Sequence, residues 1–194
     1  MRKTAIFLSA LVVISAAVYL FAIDKSAAVS AEPEAEAEET VKALYQDKEL
    51  PEGTVIDKIE ILKADRKLNI YEKDVLLKTY KIALGFEPVG HKEFQGDGKT
   101  PEGKYKVDGK NPGSAYHKNL GVSYPNDKDR AHAKKNGKSP GGDIKIHGIG
   151  KTYGYLGKLH ALHDWTLGCI AVTNEEIDEI YKHTPVGTKI EIKP

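Results

Sequence analysis

From residue 54 onward, apolar and polar side chains alternate with a period of two, the pattern of strands that bury one face. Ile59 and Ile61 alternate first, then Leu68 and Ile70, then Leu76, Tyr80, Ile82 and Leu84. Glu72-Lys73-Asp74 suits a hairpin turn between the second and third of these runs. Lys104 to Asp108 alternates again, with Tyr105 and Val107 on one face. Ile144 and Ile146 predict a short strand that leaves His147 on the opposite face, Cys169 to Val172 a second short apolar strand, and Thr188 to Lys193 a closing strand. The period changes once. Thr173 to His183 reads as a helix, with Thr173 and Glu176 in the spacing of a capping box and Ile177, Ile180 and Tyr181 on its apolar side, ended by Pro185 and Gly187. Residues 85–103 and 111–142 are rich in glycine, proline and turn residues and predict loops; the second is a lid, a groove wall or a surface insertion. With no internal repeat, the pattern describes one mostly β domain with one or two short helices.

The first 31 residues follow another rule. Arg2 and Lys3 precede an uncharged run from Thr4 to Ile23, and Val29-Ser30-Ala31 has the small side chains of a signal-peptidase site. The run is also long enough to span a bilayer, so residues 4–23 are either part of a cleaved leader or a membrane anchor, and the rest is exported in both cases. Residues 31–40, AEPEAEAEET, hold no core-forming side chain and predict a solvated acidic linker; Val41 to Leu50 suits a short helix stopped by Pro51-Glu52-Gly53. The expected organisation is therefore a leader or anchor over 1–31, linker and short helix over 32–53, and one domain over 54–194.

Charge narrows the function. Losing residues 1–31 removes Arg2, Lys3, Lys25 and Asp24 and takes the formal charge from +1 to −1, which offers no field for nucleic acid. The basic cluster Lys128, Arg130, Lys134, Lys135 and Lys138 reads most simply as a solvated face. A single cysteine, Cys169, makes no internal disulfide, so an exported domain must be stable without one.

That lone thiol lies in the stretch richest in candidate chemistry, DIKIHGIGKTYGYLGKLHALHDWTLGCIAVTN over residues 143–174, with His147, His160 and His163. A thiol attacks a carbonyl as thiolate and needs a base within hydrogen-bond reach, whose proton later serves the leaving amine. Adjacent strands would bring His147 to Cys169, although His160 and His163 are also candidates for the base. Gly168 would allow close backbone approach, with neighbouring amides available to an oxyanion. His160 and His163 lack a carboxylate or cysteine to complete a familiar metal set. Trp165 reads as core packing, and Tyr153 and Tyr155 as groove lining or surface packing.

Ile146-His147-Gly148, Thr166-Leu167-Gly168-Cys169-Ile170-Ala171-Val172 and Asn174 together resemble the signature of the L,D-transpeptidase (YkuD-type) catalytic domain. Lys67-Leu68-Asn69-Ile70-Tyr71 and Thr100-Pro101-Glu102-Gly103-Lys104-Tyr105 resemble its upstream elements, so the likeness spans about residues 55–192. The resemblance implies a β-sandwich-like fold, a bacterial envelope location (periplasm or cell-wall side) and peptidoglycan peptide stems as partner, with no cofactor and no metal. It makes Cys169 the nucleophile and His147 the proton donor and acceptor, with Gly168, Gly148 and Thr166 shaping the site around an oxyanion and Asn174 structural. The implied reaction is acyl transfer from a tetrapeptide stem: D-alanine leaves, and an amine of a second stem takes the acyl group, cross-linking the third residues of two stems. Water as acceptor gives an L,D-carboxypeptidase, a protein amine or link gives an attachment or detachment enzyme, and loss of chemistry would leave a wall-binding module. Many members have histidine where this chain has Leu167.

Overall fold

The computed structural model describes residues 48–194. The leader or anchor over 1–31, and all but the end of the linker and short helix expected over 32–53, lie outside the described residues. Among the described residues, no helix is long and apolar enough to cross a membrane.

Eight strands form one sheet: β1 Lys58–Leu62, β2 Lys67–Glu72, β3 Val75–Lys81, β4 Gly103–Ser114, β5 His117–Val122, β6 Lys145–His147, β7 Ile170–Ala171 and β8 Lys189–Lys193. Their order across the sheet is β3-β2-β1-β8-β4-β5-β6-β7. The β2–β3 hairpin turns at Lys73 and Asp74, both with left-handed φ of 51° and 65°, as its Glu-Lys-Asp sequence predicts. The closing strand β8 lies in the middle, parallel to β1 with Ile59 opposite Ile190 and Ile61 opposite Ile192, and antiparallel to β4 with Tyr105 opposite Ile190. Beyond β3 the chain runs along the far edge of β7. Ala83 and Ala171 exchange backbone hydrogen bonds of 3.0 and 2.9 Å, and Thr166 bonds both Leu84 and Phe86. The sheet therefore curls until its first and last strands meet, and its inner face, with Ile59, Ile61, Leu68, Ile70, Leu120, Ile146 and Ile170 fully buried, makes the core.

The helices are three and short: α1 Asp127–Lys135, α2 Gly150–Tyr153 and α3 Asn174–His183. A 3₁₀ run, Gly154–Leu162, continues α2. The sequence predicts α3, including its Thr173–Glu176 capping box, and the structure has that box. Ile177 and Ile180 bury in the core, while Glu179 on the same helix accepts from Lys78 Nζ at 2.8 Å and Tyr80 Oη at 2.7 Å on β3.

Residues 111–142, expected as loop, are more ordered than that reading. They contain the end of β4, all of β5 and α1. β5 pairs on both sides, so its backbone is satisfied although its sequence, HKNLGV, has little alternation. Helix α1 buries only Asp129 and Ala133 and so carries no apolar stripe; its start is fixed instead by a capping box between Asn126 and Asp129. The expected basic cluster does fall on and after this helix, with Lys128, Arg130, Lys134, Lys135 and Lys138 all exposed.

Residues 85–102 are a loop, as expected, ordered by two buried lysines. Lys63 binds Glu102 at 2.7 Å and the Thr100 carbonyl at 3.0 Å. Lys92 binds Asp97 at 2.7 Å, and the same carboxylate accepts the amides of Glu93, Phe94 and Lys99.

Candidate active site

Strands β6 and β7 run parallel, with Ile146 opposite Ile170 and His147 opposite Ala171. Side chains alternate along a strand, so Lys145, His147, Cys169 and Ala171 share one face, with Cys169 diagonal to His147. The core residues Ile146 and Ile170 hold the other face. Each strand is short because its task is local: it carries one chemical side chain and one anchor.

The turn that presents Cys169 is fixed from within. Thr166 Oγ1 donates to the Cys169 carbonyl at 2.8 Å and accepts from the Gly168 amide at 3.1 Å. Gly168 has φ of +130°, and a Cβ there would stand 2.6 Å from the Lys99 carbonyl oxygen. On its other side, a Cβ on Gly85 would meet the Gly98 carbonyl oxygen at 2.1 Å and Gly168 Cα at 3.0 Å. The close approach made possible by Gly168 is thus to the ordered loop 85–102, which forms one wall of the site. Leu167 points away, 79% exposed, so this residue has no packing role in the turn.

His147 is buried, and its Nδ1 lies 2.6 Å from the Gly148 carbonyl oxygen. A carbonyl only accepts, so the proton sits on Nδ1 and Nε2 keeps its lone pair. Tyr116 lies against the ring at 4.7 Å and Trp165 meets it edge-on at 5.9 Å, which fixes its plane. Trp165 packs as expected. Tyr116 was hidden from sequence reasoning because it falls in the stretch taken for loop. Gly148 sits where a Cβ would meet Asn174 Oδ1 at 2.7 Å. Asn174, at the start of α3, accepts from the amides of Ile149 and Gly150 at 3.0 Å each and so ties the segment after His147 to that helix.

Cys169 is half-buried and unpaired. Its Sγ donates to the Asp143 carbonyl at 3.7 Å. Burial pushes the thiol above the ordinary range; Lys145, through its backbone and its charge, and Lys92 pull it back, while Asp143 adds to the rise. Burial also lowers His147, opposed by its bond to Gly148. Both groups therefore rest uncharged near neutral pH. Lys145 and Lys92 are further residues that the sequence did not single out: one is opposite Cys169 by register, the other reaches it only through the folded loop.

Of the other two candidate histidines, His160 is buried and held to about pKa 4, first by desolvation and then by His147. His163 is exposed at the end of the 3₁₀ run. Tyr153 and Tyr155 are exposed.

A family model described as the L,D-transpeptidase catalytic domain (YkuD) matches residues 56–192. A relative from Escherichia coli (strain K12), provisionally named L,D-transpeptidase YafK, is 36% identical over 132 residues, covering 64% of this chain and 45% of the relative. The chain thus spans less than half the length of that curated relative. The helical cell shape determining protein Pgp2 from Campylobacter jejuni is similar in structure, with a TM-score of 0.54 and 26% identity over 80% of this chain and 55% of that one. Bd1075 of Bdellovibrio bacteriovorus shares the fold, with a TM-score of 0.51 and 24% identity over 75% of this chain and 50% of that one.

Proposed function

From the premise that the chain belongs to the L,D-transpeptidase (YkuD) catalytic-domain family, which acts on peptidoglycan peptide stems, we propose that it carries out cysteine-dependent acyl transfer on a tetrapeptide stem at the cell envelope. The observation that carries this reading is the shared face of β6 and β7, where His147 presents a free Nε2 lone pair on the side from which Cys169 projects. In this reading His147 Nε2 takes the thiol proton as Cys169 Sγ attacks the carbonyl of the third stem residue. The tetrahedral oxygen then collapses, the C–N bond to D-alanine breaks, and imidazolium Nε2–H protonates the leaving amine. The Gly168 amide is given to Thr166, so the developing oxyanion falls to the amide of Cys169 itself. Lys145 and Lys92 lower the cost of the transient thiolate. Thr166, Gly168 and Gly148 act by shape, through the turn and the close packing they permit.

An amine of a second stem resolving the thioester returns the thiol and cross-links two stems; water in its place gives an L,D-carboxypeptidase, and a protein amine gives attachment. Mass spectrometry of disaccharide-tetrapeptide incubated with the full-length protein decides among them. Cross-linked dimer establishes the transpeptidase and tripeptide alone the carboxypeptidase. Absence of any Cys169-dependent product refutes acyl transfer from this donor. Export through residues 1–31 belongs to the same proposal and is tested by fractionating cells for the mature protein.

A further inference from the structure

The segment between the two halves of the site contains a histidine that neither the scaffold nor the acyl-transfer pair uses. The 3₁₀ run Gly154–Leu162 exposes Tyr155, Leu159 and Leu162 and buries a single side chain, His160, which is 6% exposed. Both of its ring nitrogens are buried, and neither has a hydrogen-bond partner among the described residues. Asn174 pins the start of the segment at Ile149 and Gly150, and Trp165 just beyond its end packs on His147. The ring is near enough to His147 to respond to its charge. As a structural plug this is a poor choice, because a leucine would fill the space without stranding a donor and an acceptor.

A neutral imidazole offers one N–H donor and one lone-pair acceptor. A peptide unit offers the complement, one carbonyl and one N–H. We propose that His160 is a substrate-contacting residue, its neutral ring giving one hydrogen bond to and taking one from a backbone amide of the peptide bound across Cys169 and His147. The assignment rests on the acyl-transfer reading of this site. A carboxylate is the wrong partner, since burial leaves the ring without the charge that would attract one. The exposed Tyr155, Leu159 and Leu162 flank the ring in sequence and offer apolar surface to the rest of the stem.

The test separates binding from turnover. Calorimetric titration of disaccharide-tetrapeptide into full-length C169A measures affinity without chemistry, and D-alanine release by the native protein measures the reaction. Adding H160L to C169A should weaken binding on the order of tenfold, the worth of one buried hydrogen bond. H160Q, which keeps a donor and an acceptor, should stay within about threefold of the parent, and H160L should melt no lower than the parent. Unchanged affinity in H160L, or a loss that H160Q does not rescue and that follows a fall in Tm, overturns the contact. Native turnover with a binding-neutral H160L rejects His160 alone. His160-dependent binding without native turnover keeps the contact and rejects acyl transfer, and neither binding nor turnover rejects both.

Discussion

Burial holds the Cys169 thiol above the usual cysteine range and the His147 imidazole below the usual histidine range, so the two face each other as neutral groups rather than as an ion pair. Two pH dependences follow from those signs. Alkylation of Cys169 by iodoacetamide reports thiolate alone, so its rate should climb through pH 7 and on past pH 9, about where an ordinary thiol levels off; a plateau at pH 6–7 would mean a preformed thiolate–imidazolium pair. Peptide turnover needs His147 unprotonated, so kcat/KM should be flat through neutrality and fall on acidification with a midpoint below about 6.5. His160 gives a stability signature of its own. Its folded pKa, about 4, lies below the unfolded value, so the unfolded chain takes the proton more readily as pH falls. Stability should therefore drop between pH 6.5 and 4, by an amount on the order of 3 kcal/mol, and level off below that window. Denaturant titrations should show this loss shrinking in H160L; an unchanged slope would mean that the ring is not buried neutral.

At the scale of elements, the site depends on packing that a linear reading sees unevenly. Period-two alternation announced β1, β2, β3 and the start of β4, and the Thr173–Glu176 box announced α3, because these elements bury one clean face or carry a local cap. β5 and α1 were illegible for opposite reasons. β5 is held by two neighbours that only the fold supplies, and α1 is polar on nearly every side and announced only by Asn126 and Asp129. The candidate pair was readable because His147 and Cys169 each border a short apolar strand. Tyr116, Lys92 and the burial of His160 were not, since each depends on where a loop comes to rest. The stack of Gly85 between Gly98 and Gly168 is the sharpest such dependence. Gly85→Ala would drive Cβ into a backbone carbonyl 2.1 Å away, so the loop must shift from the Cys169 turn. We expect a stability loss of about 2 kcal/mol or more by chemical denaturation, together with reduced turnover. Glu179→Ala, which strands Lys78 and Tyr80 beneath α3, should cost about 3 kcal/mol while leaving the Cys169 alkylation profile in place.

For the domain as a whole, the chain's last strand is its central one. β8 joins β1 and β2 to β4 and everything beyond, and the meeting of residues 83–86 with Thr166 and Ala171 closes the sheet where Cys169 sits. Chemistry and closure therefore share one seam, and the described domain should unfold as a unit. Deleting residues 189–194 should abolish the native circular-dichroism signature and cooperative melting rather than trim an end.

The central claim is that Cys169 forms the acyl intermediate and His147 manages its proton. Its most direct test is D-alanine release from disaccharide-tetrapeptide by the full-length protein, compared with C169A and with intact-mass analysis of each. The account predicts release by the native protein, a transient adduct on Cys169 equal to the stem less D-alanine, and neither in C169A. D-alanine release that persists in C169A would contradict it.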